Sequence, residues 1–161
     1  KPWGNFFTTL ELKLMVIGGL SVSYTIGIYY VITSVPLLLI IAIIEGFFLF
    51  AYNFELFNGL FHNNFWFAVS WGGLPLLAVF VIQTNSISVL SLISSIMAFL
   101  VAYTEIRISR KYKELKRKPQ DVVDYKVKKL ELSLKIISLI TISFAVWLTV
   151  CRYFIEHYNI L

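Results

Sequence analysis

Charged residues are scarce in this sequence: Asp, Glu, Lys and Arg make up 14% of 161 residues, against about a quarter in soluble globular chains. A soluble domain of this length could not hide the 58% of residues that are hydrophobic, so a water-soluble enzyme or binding module is excluded. Cysteine is almost absent. Cys151 stands alone, which rules out a disulfide framework or a cysteine metal cluster within the chain. Strict alternation of apolar and polar residues is also missing. A transmembrane barrel needs that alternation, and the only other fold that satisfies its own backbone in lipid is the helix. Internal repeats and low-complexity segments are lacking too. The chain opens on Lys1 without the basic, apolar and small-residue succession of a signal peptide, and we expect it to be one transmembrane helical domain, 1–161, cut from a longer chain.

What is present is a series of apolar runs of the length needed to cross a hydrocarbon core of about 30 Å, roughly 18 to 20 residues each. They predict an all-α integral membrane protein with about five transmembrane helices, at about Leu12–Ile32, Val35–Tyr52, Phe65–Ile82, Ile87–Tyr103 and Leu134–Cys151. Thr33, Ser34 and Pro36 read as a tight turn, because proline fits the first turn of a helix but not its interior. The third run contains Gly72, Gly73 and Pro75, a helix break of the kind seen in transporters. The fourth is rich in serine and alanine, which permit close helix contact in lipid.

The net charge of +5 takes its meaning from position. Ten of the 14 Lys and Arg lie between Arg107 and Lys129, a loop property and not a nucleic-acid surface. The positive-inside rule puts this basic loop, 105–131, in the cytoplasm of a cell with the chain in its plasma membrane. Counting back, the 53–64 connector and the N-terminus share that side, while the turns near Ser34 and Asn85 lie outside. His62 and His157 then fall on opposite sides and cannot ligate one metal together.

Four features could carry chemistry. The connector from Tyr52 to Asn64 is dense in aromatics and amides. It reads either as an interfacial belt with helix-capping amides or as the rim of a cavity whose amides and Glu55 meet a ligand head. Glu45, well inside the second run, is a protonated carboxyl bonded to a neighbouring helix, a carboxyl close enough to a boundary to be wetted, or a functional intramembrane group. Asp121 and Asp124 could hold Mg²⁺ against a diphosphate, or could simply sit at the positive end of a helix. Arg107 to Lys118 could grip diphosphate or anionic lipid heads, or act only as the topology determinant.

At the connector the chain resembles the UbiA superfamily of intramembrane prenyltransferases, especially its archaeal members. The resemblance lies in Tyr52-Asn53, Gly59-Leu60 and Asn64-x3-Ala68-x3-Gly72, with Lys1-Pro2-Trp3-Gly4 similar to the segment after the family's first aspartate-rich motif. It implies that the five runs correspond to the family's third through seventh spans. It also implies transfer of an isoprenyl group from a diphosphate to a membrane-soluble acceptor such as a quinone-like lipid, with Mg²⁺ as cofactor. Substrate binding would fall to Tyr52, Asn53 and Asn64 at the rim and to Arg107 and Arg110 in the basic segment, with Asp121 and Asp124 as the metal candidates. The chain departs from the family pattern in placing Glu55 near the expected lysine and Glu105-Ile106-Arg107 where the second aspartate motif should begin. On those departures we expect no prenyl transfer by these residues alone. The alternative is a non-catalytic accessory subunit of a larger respiratory or oxidase-type membrane complex, held among other membrane subunits.

Overall fold

The computed structural model describes residues 6–117 and 124–158. Among these residues every regular element is helical. Helix α1 (Thr9–Thr33) opens with a capping box. The Thr8 hydroxyl accepts from the Glu11 amide at 3.2 Å, and the Glu11 carboxylate accepts from the Thr8 amide at 2.7 Å. Ser23, Thr25 and Thr33 return their hydroxyls to carbonyls one turn back in the same helix, which satisfies them without water. Helix α2 (Leu38–Asn53) ends in a single turn, α3 (Leu56–Gly59), which leads to α4 (Asn64–Ala68). The Asn63 side chain caps α4 by accepting from the Trp66 amide at 3.1 Å. Helix α4 passes through a π-helical turn, Val69–Gly73, into α5 (Leu74–Thr84), and Asn85 closes α5 with φ 45°. Helix α6 (Val89–Lys116) starts in a Ser88/Ser91 capping box, and α7 (Asp124–Tyr158) completes the described chain.

Four of these segments are long and apolar enough to cross a membrane: Thr9–Thr33, Asn64–Thr84, Val89–Lys116 and Tyr125–Trp147. Helix α2 is shorter. Its 16 residues span about 24 Å at roughly 1.5 Å per residue, less than a full hydrocarbon core. The five expected spans thus become four long helices and one short one. The expected break at Gly72, Gly73 and Pro75 is also replaced, since the helix continues through the π turn. Pro75 has no amide to donate to the carbonyl four residues earlier and its ring crowds that carbonyl; the wider turn relieves both problems without ending the helix. The basic segment is the third difference. Residues from Arg107 to Lys116 extend α6, and those from Asp124 onward begin α7, so most of the expected loop is helical.

The helices pack as a row. Helix α1 lies on α2, α2 on α5, α6 along α4, the π turn and α5, and α7 on α6. At one end Val35, Leu38 and Ile41 meet Val81 in a small buried cluster. This brings the Ser34 and Asn85 turns to the same end of the row. In the middle the seam between the π turn and α6 is close enough for Ser95 Oγ to donate to the Gly73 carbonyl at 2.7 Å. Among the described residues the outer helices α1 and α7 bury no side chain and expose most of their large apolar ones, a surface that suits lipid or another protein rather than water.

Candidate functional site

At the opposite end of the row a cavity of about 950 Å³ opens between the end of α2, the connector, α4 and α6. Its aromatic wall is Tyr52, His62, Phe67 and Trp71. Tyr52 and Phe67 lie 5.8 Å apart and Phe67 stacks on Trp71 at 6.0 Å. The facing wall is one strip of α6 that runs from Ala102 and Ile106 through Ser109 and Arg110 to Lys113, continued by Arg117 at the helix cap. These positions recur every three or four residues, as one face of a helix must. Glu105 and Glu114 also line it, so three cations stand against two carboxylates for a formal charge of +1. The cavity is mostly aromatic and aliphatic toward the membrane-crossing part of α6, apart from Glu105, and more densely charged toward its end, a division that suits an amphiphile.

Among the described residues a hydrogen bond joins the two walls. Arg110 Nη2 donates to the Tyr52 hydroxyl at 3.3 Å, across 58 residues of sequence. With its oxygen accepting from Arg110, the phenol keeps its own proton available for a further acceptor. The connector is shaped to hold the aromatic wall. Glu55, Phe57, Asn58 and Gly59 all have positive φ, at 49°, 57°, 57° and 76°. For the three residues with a Cβ this conformation costs about 1–2 kcal/mol each. Phe57 and Phe61 offset that by packing on Phe47, and Phe61 also contacts Phe48 and Trp66. The turn carries His62 back beneath α2, where its ring stacks on Tyr52 with centroids 4.5 Å apart. His62 Nδ1 lies 3.1 Å from the Tyr52 backbone carbonyl and 3.9 Å from the Glu55 carboxylate.

The structure brings together only part of the expected site. Tyr52 and Arg110 meet at the cavity. Asn53 does not: its amide donates back to the Leu49 carbonyl at 2.7 Å. Asn64 begins α4 with a shielded Oδ1 that has no hydrogen-bond partner, and it does not line the cavity. Arg107 is exposed on another side of α6, 5.7 Å above the Tyr103 ring. Glu45 is half-buried in α2, away from the cavity, with its Oε1 shielded and without a hydrogen-bond partner. Asp121 lies outside the described residues, and of Asp124 only the backbone, as the first residue of α7, is described. Lys113 and Arg117 belong to the Arg107–Lys118 run and His62 to the Tyr52–Asn64 connector, both expected as segments, whereas Phe67 and Trp71 are site residues that the sequence reading did not single out. The strip on α6 had a signal, its three-and-four spacing, which reading the segment as a loop concealed.

The cavity's own donors do not fit a magnesium ion. Glu105 and Glu114 are separated by about 13 Å along one helix, with Arg110 and Lys113 between them, and that ion needs oxygen ligands gathered at about 2 Å. Among the described residues no group of three or more His, Cys, Asp and Glu side chains comes together to hold a metal. We found no match between this chain and any family model, any curated protein or any solved structure.

Proposed function

We propose that this protein is a multi-span membrane protein that takes an anionic amphiphile into the cavity between the Tyr52–Trp71 aromatics and α6. The head lies against Arg110, Lys113 and Arg117, and the chain runs past Phe67 and Trp71 toward lipid. The observation that carries this reading is the Arg110–Tyr52 bond at 3.3 Å, which sets a fixed cation and a phenol proton at the junction of an apolar and a charged wall. The volume, about 950 Å³, lies at the upper end of the range that holds drug-sized ligands, about 300–1,000 Å³. The concentration of Lys and Arg at this end argues for its being cytoplasmic, with α2 completing a fifth, thin span. The resemblance to UbiA proteins suggests the ligand class, an isoprenyl diphosphate, and the activity it would serve, prenyl transfer to a quinone-like acceptor. The described residues support binding of that ligand; its ionisation would need a partner for the leaving diphosphate that Glu105 and Glu114 do not form.

The test compares geranylgeranyl diphosphate with neutral geranylgeraniol, using protein in neutral-lipid nanodiscs and isothermal titration calorimetry as readout. The diphosphate is expected to bind more tightly. Arg110→Gln should weaken it about tenfold or more, since a hydrogen bond to a charged group contributes about 1.5–3 kcal/mol. Equal binding of the alcohol, or no effect of Arg110→Gln, would refute the reading.

The accessory-subunit reading has its own observation. Among the described residues α1 packs chiefly on α2, and outside its own backbone nothing lies within 4 Å of the Cβ positions of Gly18, Gly19 and Gly27. That leaves a small-residue face where another helix could approach closely. Native purification that recovers a second membrane subunit at fixed stoichiometry would favour it.

A further inference from the structure

We infer that His62 is a proton-linked binding residue of this cavity, donating from Nε2 to the anionic head while Nδ1 remains on the end of α2; the inference rests on the anionic-amphiphile reading. The Tyr52 carbonyl, 3.1 Å from Nδ1, can only accept, so Nδ1 carries a hydrogen. Tyr52 lies in the last turn of α2, where carbonyls lack intrahelical partners, and His62 therefore caps that helix. In the neutral ring Nε2 then bears a lone pair, which an anion would repel. Protonation converts Nε2 to a donor without disturbing the cap. The stacking on Tyr52, 4.5 Å between centroids and 22° between planes, holds the ring in place in both forms.

The sign follows from the charge of the ligand. The charged groups that share the cavity with the ring are Glu55 from the connector, at 3.9 Å, Glu105, Arg110, Lys113 and Glu114 on α6, and Arg117 at its end. The Tyr52 hydroxyl is uncharged and already accepts from Arg110. Against three cations, a bound anion is the added charge that tips the ring toward its protonated form. Proton and ligand thus bind together, and affinity rises with acidity.

The probe is hexadecyl sulfonate, whose charge does not change over the range in which imidazoles titrate. It is titrated into protein in neutral-lipid nanodiscs at about pH 5.5 and about pH 8, which bracket that range. Wild-type protein should bind about five- to tenfold more tightly at the acid pH, a charge-assisted contact discounted for exposure. His62→Gln, which can keep the cap through its amide, should bind equally at both pH values. As a second measurement on unmodified side chains at the cavity, the imidazole resonance that persists in His157→Gln should titrate at higher pH with sulfonate bound than without. Equal wild-type affinity at both pH values, an unshifted resonance, or an acid enhancement retained in His62→Gln would overturn the inference and leave the cavity reading standing. Absence of binding at either pH would overturn both.

Discussion

Replacing Gly72 by alanine probes the seam on which the cavity wall depends, and Gly73 provides its control. A Cβ at Gly72 would lie 2.7 Å from the Ala102 Cβ and 2.8 Å from the Ala98 carbonyl oxygen. Neither is the end of a flexible side chain, so α6 itself must retreat. A Cβ at Gly73 would meet Ser95 and Phe99 atoms at 3.4–3.6 Å, close to ordinary contact. Both substitutions gain helix propensity, up to about 1 kcal/mol, and only Gly72→Ala adds overpacking, which costs about 1–3 kcal/mol. The two variants should therefore differ by about 1–3 kcal/mol, a factor of about five to 150 in the folded ratio, with Gly72→Ala the weaker. Ala102 lines the cavity, so diphosphate binding should fall in Gly72→Ala as well. The assay is reversible unfolding in mixed micelles of graded dodecyl sulfate content, followed by circular dichroism. Equal stability of the two alanine variants would show that α6 does not lie against the π turn as described.

Other consequences can be measured separately. Ser95→Ala removes the 2.7 Å bond to the Gly73 carbonyl and should cost about 0.6 kcal/mol, at most about 1.7, as interhelical bonds in membranes do; a loss well beyond that would point to a role for Ser95 other than this bond. Cysteines at Lys116→Cys and Gln83→Cys, in a Cys151→Ser background, should label with an impermeant reagent from opposite sides of the membrane. Labelling of both from one side would overturn the proposed arrangement of spans. Glu45 has a shielded, unpartnered Oε1, and a charge at such depth costs about 2.5–3.5 kcal/mol even on insertion scales. Glu45→Gln should consequently insert and fold at least as well as wild type, and a clear loss of stability would reveal a charged partner for the carboxylate.

Much of the fold could be read from apolar run length, because lipid makes continuous hydrophobicity a direct measure of a span. The first and third runs lie within α1 and α4–α5, and the fourth begins two residues before α6 and then follows it. Hydropathy reports where lipid ends, however, and not where a helix ends. Thr104 to Lys116 leave the apolar pattern yet remain helical, since Glu, Arg and Lys are good helix formers, and Lys116 lies over the Tyr112 ring one turn back. The π turn was hidden for a similar reason: Gly72, Gly73 and Pro75 weaken a helix locally, but the packing of Gly72 and Gly73 on α6 outweighs propensity. At the site, Tyr52 was visible as the polar end of an apolar run. Its pairing with Arg110 was not, because only the fold brings together groups 58 residues apart. His62 was visible as a residue, but its capping of α2 depends on four positive φ values in the connector, which Gly59 alone announces.

The central claim is that an anionic amphiphile occupies the space between Tyr52, Trp71 and α6, and photocrosslinking maps that occupancy directly. A geranylgeranyl diphosphate analogue with a diazirine near its head, activated in nanodiscs and followed by peptide mass spectrometry, should modify the segments around Phe67–Trp71 and Ile106–Arg110. Excess unlabelled diphosphate should suppress both sites together. Modification spread over α1 and α7, in proportion to their lipid-exposed surface and indifferent to competitor, would contradict the account.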